Sequence, residues 1–141
     1  MLYRITDRQD PYWDLVKDDP VRPAIPQETR LHEHADVFVL VRDSKPAAVT
    51  CVAYLDRVPK TERELGDHGD RVAAFYTIWS YQPGAGRELI QAARAWIQLN
   101  RQSVIRYVTL SPKTEMARRF HHSNGAKTIS DNDDTVNYEY E

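Results

Sequence analysis

The chain has a single cysteine, Cys51, so no disulfide can form within it, and the expected compartment is a reducing one such as the cytoplasm. No apolar run approaches the roughly 20 residues that a membrane-crossing helix needs, and the amino terminus shows no signal-peptide pattern. Neither sign of charge dominates, with 19 lysines and arginines against 21 aspartates and glutamates. A general nucleic-acid binder would carry a clustered basic excess, so neither a nucleic acid nor a membrane is expected as a partner. Repeats and low-complexity tracts are missing as well. What remains is 41% hydrophobic residues over 141 positions, enough for a single domain, residues 1–141, with one core.

Local patterns divide the chain. "MLYRIT" predicts a short strand, and Asp10-Pro11 a helix start, with Asp as N-cap, Pro in the first turn, and Trp13 and Val16 turned inward. Pro20, Pro23 and Pro26 forbid a regular helix across 18–30, which reads as an ordered loop. "QETRLHEHA" suggests a short second helix. "DVFVLVRD" (36–43) and "AAVTCVAYLD" (47–56) predict a hairpin turning at "SKP". The charged stretch 57–71 reads as a solvated connection, and "RVAAFYTIWSY" (71–81) as a central strand. Leu89, Ile90, Ala93, Trp96 and Ile97 share one face of a helix over about 86–100. A strand at 104–111 follows. Ser111-Pro112 then opens a helix with Met116, Ala117 and Phe120 inward, and Gly125 stands where a C-terminal glycine cap belongs. "AKTIS" and "TVNYEYE" complete a mixed α/β order, the latter expected at a sheet edge with tyrosines able to line a cleft.

"YQPGAGREL" (81–89) places Gly84 and Gly86 between a strand and a helix. The first amides of a helix have no internal acceptors, and the macrodipole adds partial positive charge there, so such a turn suits an anion. Arg87 can add a charge-assisted contact. A P-loop would need Lys-Ser/Thr after the last glycine, but Arg87-Glu88 follow. A dinucleotide fingerprint would need a third glycine at position 89, which is Leu. A tight turn with no ligand is the plain alternative.

A second block changes the weighting. "IWSYQPGAGRELI" followed by a strand and then "TEMARRFHHSNGA" resembles the GNAT superfamily of acyl-CoA-dependent N-acetyltransferases. The resemblance is to a strand, Arg/Gln-x-x-Gly-x-Gly/Ala and a helix, and then, after another strand, Asn-x-x-Ala-x-x-Leu-Tyr-x-x-x-Gly-Phe. It implies a mostly antiparallel central sheet with two splayed parallel strands and flanking helices. It also implies acetyl-CoA or another acyl-CoA as cofactor and an amine of a small molecule or protein as acceptor. Backbone at Thr77, Ile78 and Trp79 would meet the pantetheine. The turn Gln82, Pro83, Gly84, Ala85, Gly86 and Arg87 would meet the pyrophosphate. His121 stands where the family's acid tyrosine does, and an imidazole of pKa about 6.5 can protonate a thiolate of about 8.5.

The sequence also departs from that pattern. Tyr81 replaces the opening Arg/Gln, with Gln82 one place late, and Thr114 replaces the Asn that helps hold the cofactor arm. Strand 71–81 has no glutamate, so Tyr76, Ser80 or a chain of water molecules would serve as base. A catalytically degenerate protein of this fold with a binding or structural role, such as a phage virion component, is therefore the alternative. Homodimerisation or assembly through the terminal strands fits either reading. Asp18, Asp19, Glu28 and Glu33 lean towards a cationic acceptor near 18–35. His32 and His34 are expected to diverge as surface residues, with no metal, and Cys51 to pack as a small hydrophobe.

Overall fold

β-Branched and aromatic runs take extended backbone because their branched side chains pack on a pleated surface and lose rotamers in a helix. In the computed structural model, which describes residues 1–141, these runs form β1 (Leu2–Ile5), β2 (Ala35–Arg42), β3 (Lys45–Leu55) and β4 (Val72–Ser80). β5 (Arg106–Thr109), β6 (Ser111–Pro112), β7 (Lys127–Asp131) and β8 (Thr135–Tyr140) follow. The sheet order is β1-β2-β3-β4-β5-β8-β6, with β7 on the other side of β8. Every pairing is antiparallel except β4 with β5. No helix is long and apolar enough to cross a membrane.

Two layers cover the sheet. α1 (Ala85–Asn100) buries Leu89, Ile90, Ala93 and Ile97 against Phe38, Leu40, Val52 and Tyr54 on one face. Each fully buried side chain of that size stabilises by about 1.5–3 kcal/mol. The opposite face carries Val37, Val39, Val49 and Cys51, covered by Trp13 and Val16 from a 3-10 turn at Pro11–Asp18. Asp10 caps that turn by accepting from the Tyr12 amide at 2.9 Å. α2 (Glu115–Ser123) packs beside β7. It ends as expected at Gly125 (φ +95°): the Gly125 amide donates to His122 O at 3.1 Å and the Ala126 amide to His121 O at 3.0 Å.

Several expectations need correction. The β2–β3 turn is Asp43-Ser44, not "SKP"; both residues have φ > 0 (51° and 64°), the turn geometry that matches strand twist. "QETR" (Gln27–Arg30) is a single 3-10 turn, and a third lies at Glu62–Gly66. The predicted strand 104–111 breaks at Leu110 into β5 and β6. α2 begins after Thr114, which caps it by accepting from the Ala117 amide at 3.1 Å, so Ser111-Pro112 is extended. Met116 is 81% exposed rather than inward. β8 is an interior strand with Tyr138 and Tyr140 buried, and the exposed β7 takes the edge.

The proline loop folds around an ion pair. Arg30 Nη1 donates to Asp19 Oδ2 at 2.6 Å with both side chains fully buried, and Arg30 Nη2 donates to the carbonyls of Arg22 and Ile25. Asp19 Oδ1 accepts from the amides of Val21 and Arg22 and from the Thr77 hydroxyl of β4 at 2.8 Å. Asp19 therefore holds the loop to the sheet and offers no charge to an acceptor. Arg30→Met should lower unfolding free energy by about 3–5 kcal/mol because it strands the Asp19 carboxylate. Asp19→Asn/Arg30→Met should lose less, as read by denaturant titration.

Candidate active site

The site begins where a ladder stops. β4 and β5 run in parallel register from Val72 opposite Arg106 to Phe75 opposite Thr109. One further bond, Leu110 amide to Phe75 O at 3.2 Å, ends their contact. Cys51 pairs with Thr77 and Val52 with Phe75, which leaves Tyr76 as an extra residue that bends β4. After Leu110 the chain crosses to β6 on β8. The parted strands enclose a cavity of about 460 Å³. Tyr76, Thr77, Ile78, Trp79 and Ser80 line it from β4, Gly86 from α1, Thr114 from the cap of α2 and His121 from its last turn. Residues that sequence reasoning did not assign to it, Pro20 and Val21 of the proline loop, also reach its wall. Their signal was the run of prolines, which said only that the loop is ordered.

Of the glycine turn, Gly86 lines this cavity, while Gln82, Pro83, Gly84, Ala85 and Arg87 lie beyond its wall. Gly84 has φ +75°, a left-handed conformation that costs an L side chain about 1–2 kcal/mol. Gly86 serves a different need: a Cβ there would stand 3.1 Å from the Phe120 ring, so it lets α1 and α2 approach. The amides of Gln82, Gly84, Gly86 and Arg87 donate to no backbone carbonyl, leaving donors free at the positive end of a 16-residue helix. Pro83 O accepts from Arg42 Nη1 at 3.2 Å, which fixes the turn, and Ala85 is buried beneath it. Arg87 is exposed beside them. Tyr81, in place of the expected Arg/Gln, is half exposed, and its hydroxyl accepts from Trp79 Nε1 at 3.0 Å.

His121 is 4% exposed, on the last turn of α2. Its Nδ1 lies 2.7 Å from the Tyr140 hydroxyl, and its ring stacks on Tyr138 at 5.0 Å. Burial, with a smaller contribution from His122, lowers its pKa from 6.5 to about 4. The ring is therefore neutral at pH 7. Burial likewise raises the Tyr140 phenol and holds Tyr76 well above 10, so neither is a phenolate at neutral pH. Ser80 is exposed at the rim, Thr114 spends its hydroxyl on the α2 cap, and no carboxylate lines the cavity. Tyr140 as partner of His121 could not be read from "NYEYE", because only strand pairing brings the two together.

Elsewhere, Cys51 is buried, and burial raises its thiol pKa to about 11. His32 and His34 do not sit on a helix; their rings lie 6.3 Å apart, each near His68. No group of three or more His, Cys, Asp or Glu is placed to hold a metal ion.

A depressed histidine carries a pH signature. The unfolded chain takes up the His121 proton near pH 6.5 and the folded chain only near 4. Its contribution is complete above 6.5 and is lost as pH falls through that window, on the order of 3 kcal/mol in all. Denaturant unfolding from pH 7 to 4 should show this loss, and His121→Phe should flatten it.

No protein-family model and no curated protein matches the sequence. Solved structures do match the fold. A malonyl-CoA decarboxylase from Agrobacterium vitis superposes with TM-score 0.70 and 20% identity over 85% of this chain but 35% of its own, so the chain spans about a third of that enzyme. The Campylobacter jejuni N-acetyltransferase PseH matches at 0.69 and 10% identity over 100% of this chain and 96% of its own. A GNAT family acetyltransferase from Elizabethkingia anophelis with acetyl-CoA bound matches at 0.67 and 10% over 100% and 97%. With its mixed sheet, its parted parallel strands and these likenesses, the chain has a GNAT-like fold.

Proposed function

We propose that the protein is an acyl-CoA-dependent N-acetyltransferase that moves an acetyl group directly from acetyl-CoA to an amine. The observation that carries this reading is the apolar cavity between β4 and β5, bordered by a glycine turn with four unpaired amides. A thioester on a long flexible arm fits the cavity, and the pyrophosphate behind it fits the turn. The names of the similar structures point the same way, since decarboxylase and acetyltransferase alike are tied to CoA.

In the reaction a neutral amine attacks the thioester carbonyl, the C–N bond forms, and the C–S bond breaks with its electron pair on sulfur. The amine's surplus proton ends on the thiolate or in water. Donor amides of β4 near Thr77 and Ile78 would stabilise the oxyanion. A neutral His121 acts as a hydrogen-bond donor to the departing sulfur, not as a stored imidazolium. A thiolate of pKa about 8.5 needs little more than that near neutral pH. Tyr140, donating to Nδ1, would fix the proton on Nε2. With no carboxylate in the cavity, the acceptor must arrive already deprotonated.

The absent carboxylate also favours a second reading, a protein that binds acyl-CoA without turning it over. Calorimetry with acetyl-CoA separates the outcomes. Binding in the roughly 1 µM–1 mM range of enzyme substrates is expected, and Gly84→Val/Gly86→Val should abolish it. No binding by the wild type overturns the proposal, and binding without thiol release across an amine panel leaves only the second reading. His121→Phe should lower kcat by about 10²-fold and keep acetyl-CoA affinity. kcat/KM should climb with pH up to the acceptor's own pKa; a plateau set near pH 6–7 whatever the acceptor would point to an enzyme base instead.

A further inference from the structure

The cavity reaches both faces of the sheet. Phe75, Ile78 and Phe120 connect it to the core under α1, and Tyr76, Trp79 and Leu110 to the core on the opposite face. Gly86 and His121 stand at the first end, Pro20 and Val21 at the second. A thioester delivered past Gly86 therefore meets its acceptor at the end walled by the proline loop.

No Asp, Glu, Lys or Arg lines this cavity, and at the proline-loop end the polar groups are already engaged. The Thr77 hydroxyl donates to Asp19 at 2.8 Å, Trp79 Nε1 donates to the Tyr81 hydroxyl at 3.0 Å, and the buried Tyr76 phenol is bonded to Cys51. The Tyr76 and Leu110 carbonyls, the backbone acceptors where the strands part, accept from Arg22 behind them. The groove that holds Arg22, with Glu62, Glu64, Asp133 and Asp134, is a separate one beyond that backbone. Of the acidic residues expected to draw a cation, Asp19 is bound to Arg30, and Asp18, Glu28 and Glu33 are not in the wall. An ammonium entering here loses its water and gains no counter-charge, which is heavily disfavoured.

An alkylamine such as that of lysine, of pKa about 10.4, is neutral in only about one molecule in 2,500 at pH 7. An aromatic amine shares its nitrogen lone pair with the ring, so it is neutral there, and it offers a flat apolar face to Tyr76 and Trp79. We propose that the acceptor is an aromatic amine, seated between Pro20, Val21, Tyr76, Trp79 and Leu110. This rests on the acetyltransferase reading above. The amine nitrogen forms the C–N bond as the C–S bond breaks, and its surplus proton goes to the departing thiolate. Attack turns that nitrogen into a strong acid, so no enzyme base is required, in keeping with a cavity that holds no carboxylate.

p-Toluidine and benzylamine are isomers, the first neutral and the second cationic at pH 7, and putrescine is a dication. Calorimetry of each against the wild-type protein saturated with CoA reads acceptor choice without turnover, and thiol release from acetyl-CoA reads it with turnover. p-Toluidine should bind about tenfold or more tighter than either cation. Val21→Asp, which adds a carboxylate to the wall, should bring that ratio to about one. Equal or tighter binding of benzylamine or putrescine overturns the proposal, as does a wild type that binds no p-toluidine. So does a preference that a folded Val21→Asp leaves unchanged. In each of these cases acetyl-CoA binding by the wild type leaves the transferase reading standing. A wild type that binds no acetyl-CoA sinks both.

Discussion

The parting of β4 from β5 after Phe75 is the constraint on which the rest of the structure depends. Parallel strands that separate leave backbone groups without partners, and buried unpaired groups cost about 1–3 kcal/mol each. The protein meets this cost locally. Tyr76 is accommodated as an extra residue in β4, Leu110 turns the chain towards β8, and Arg22 takes up the Tyr76 and Leu110 carbonyls. The proline loop that delivers Arg22 is clamped to Thr77 through Asp19 and Arg30. A cavity in the middle of a sheet is stable here because its rim is tied on both faces.

The two faces differ in electrostatics. Towards the helices the cavity meets neutral groups: His121 held uncharged among Phe120, Tyr138 and Tyr140, and turn amides aimed outward. On the other face the Arg22 cation sits behind the Tyr76 and Leu110 backbone, in a separate groove with Lys60, Glu62, Glu64, Asp133 and Asp134. Low local polarity strengthens any hydrogen bond made inside, and it penalises a charged amine that enters unpaired. The same burial keeps His121 neutral, and the Tyr140 hydroxyl against Nδ1 holds the orientation of its ring.

Much of this was legible in the chain. The β-branched runs marked β2, β3 and β4, the spacing of Leu89, Ile90, Ala93 and Ile97 marked α1, and Gly125 marked the end of α2. The glycine turn and His121 were singled out by motif; of these, Gly86 and His121 line one cavity. Misreadings cluster where a local pattern met a distant partner. Met116 has inward periodicity yet faces outward, since α2 is short and covers little beyond β7 and the cavity rim. "TVNYEYE" looked like an edge because nothing in it shows that "AKTIS" would pair outside it. Asp19 looked like surface charge because its partner lies 11 residues away across three prolines.

By itself the sequence determined the longer strands and α1, their order and the glycine positions at 84 and 125, because these depend on residues within one helical turn or one strand of each other. Only the tertiary structure decided the ionisation state of His121, its pairing with Tyr140 and the bridging role of Arg22. Each of these rests on burial and on contacts between residues 19 to 88 positions apart, which no local pattern encodes.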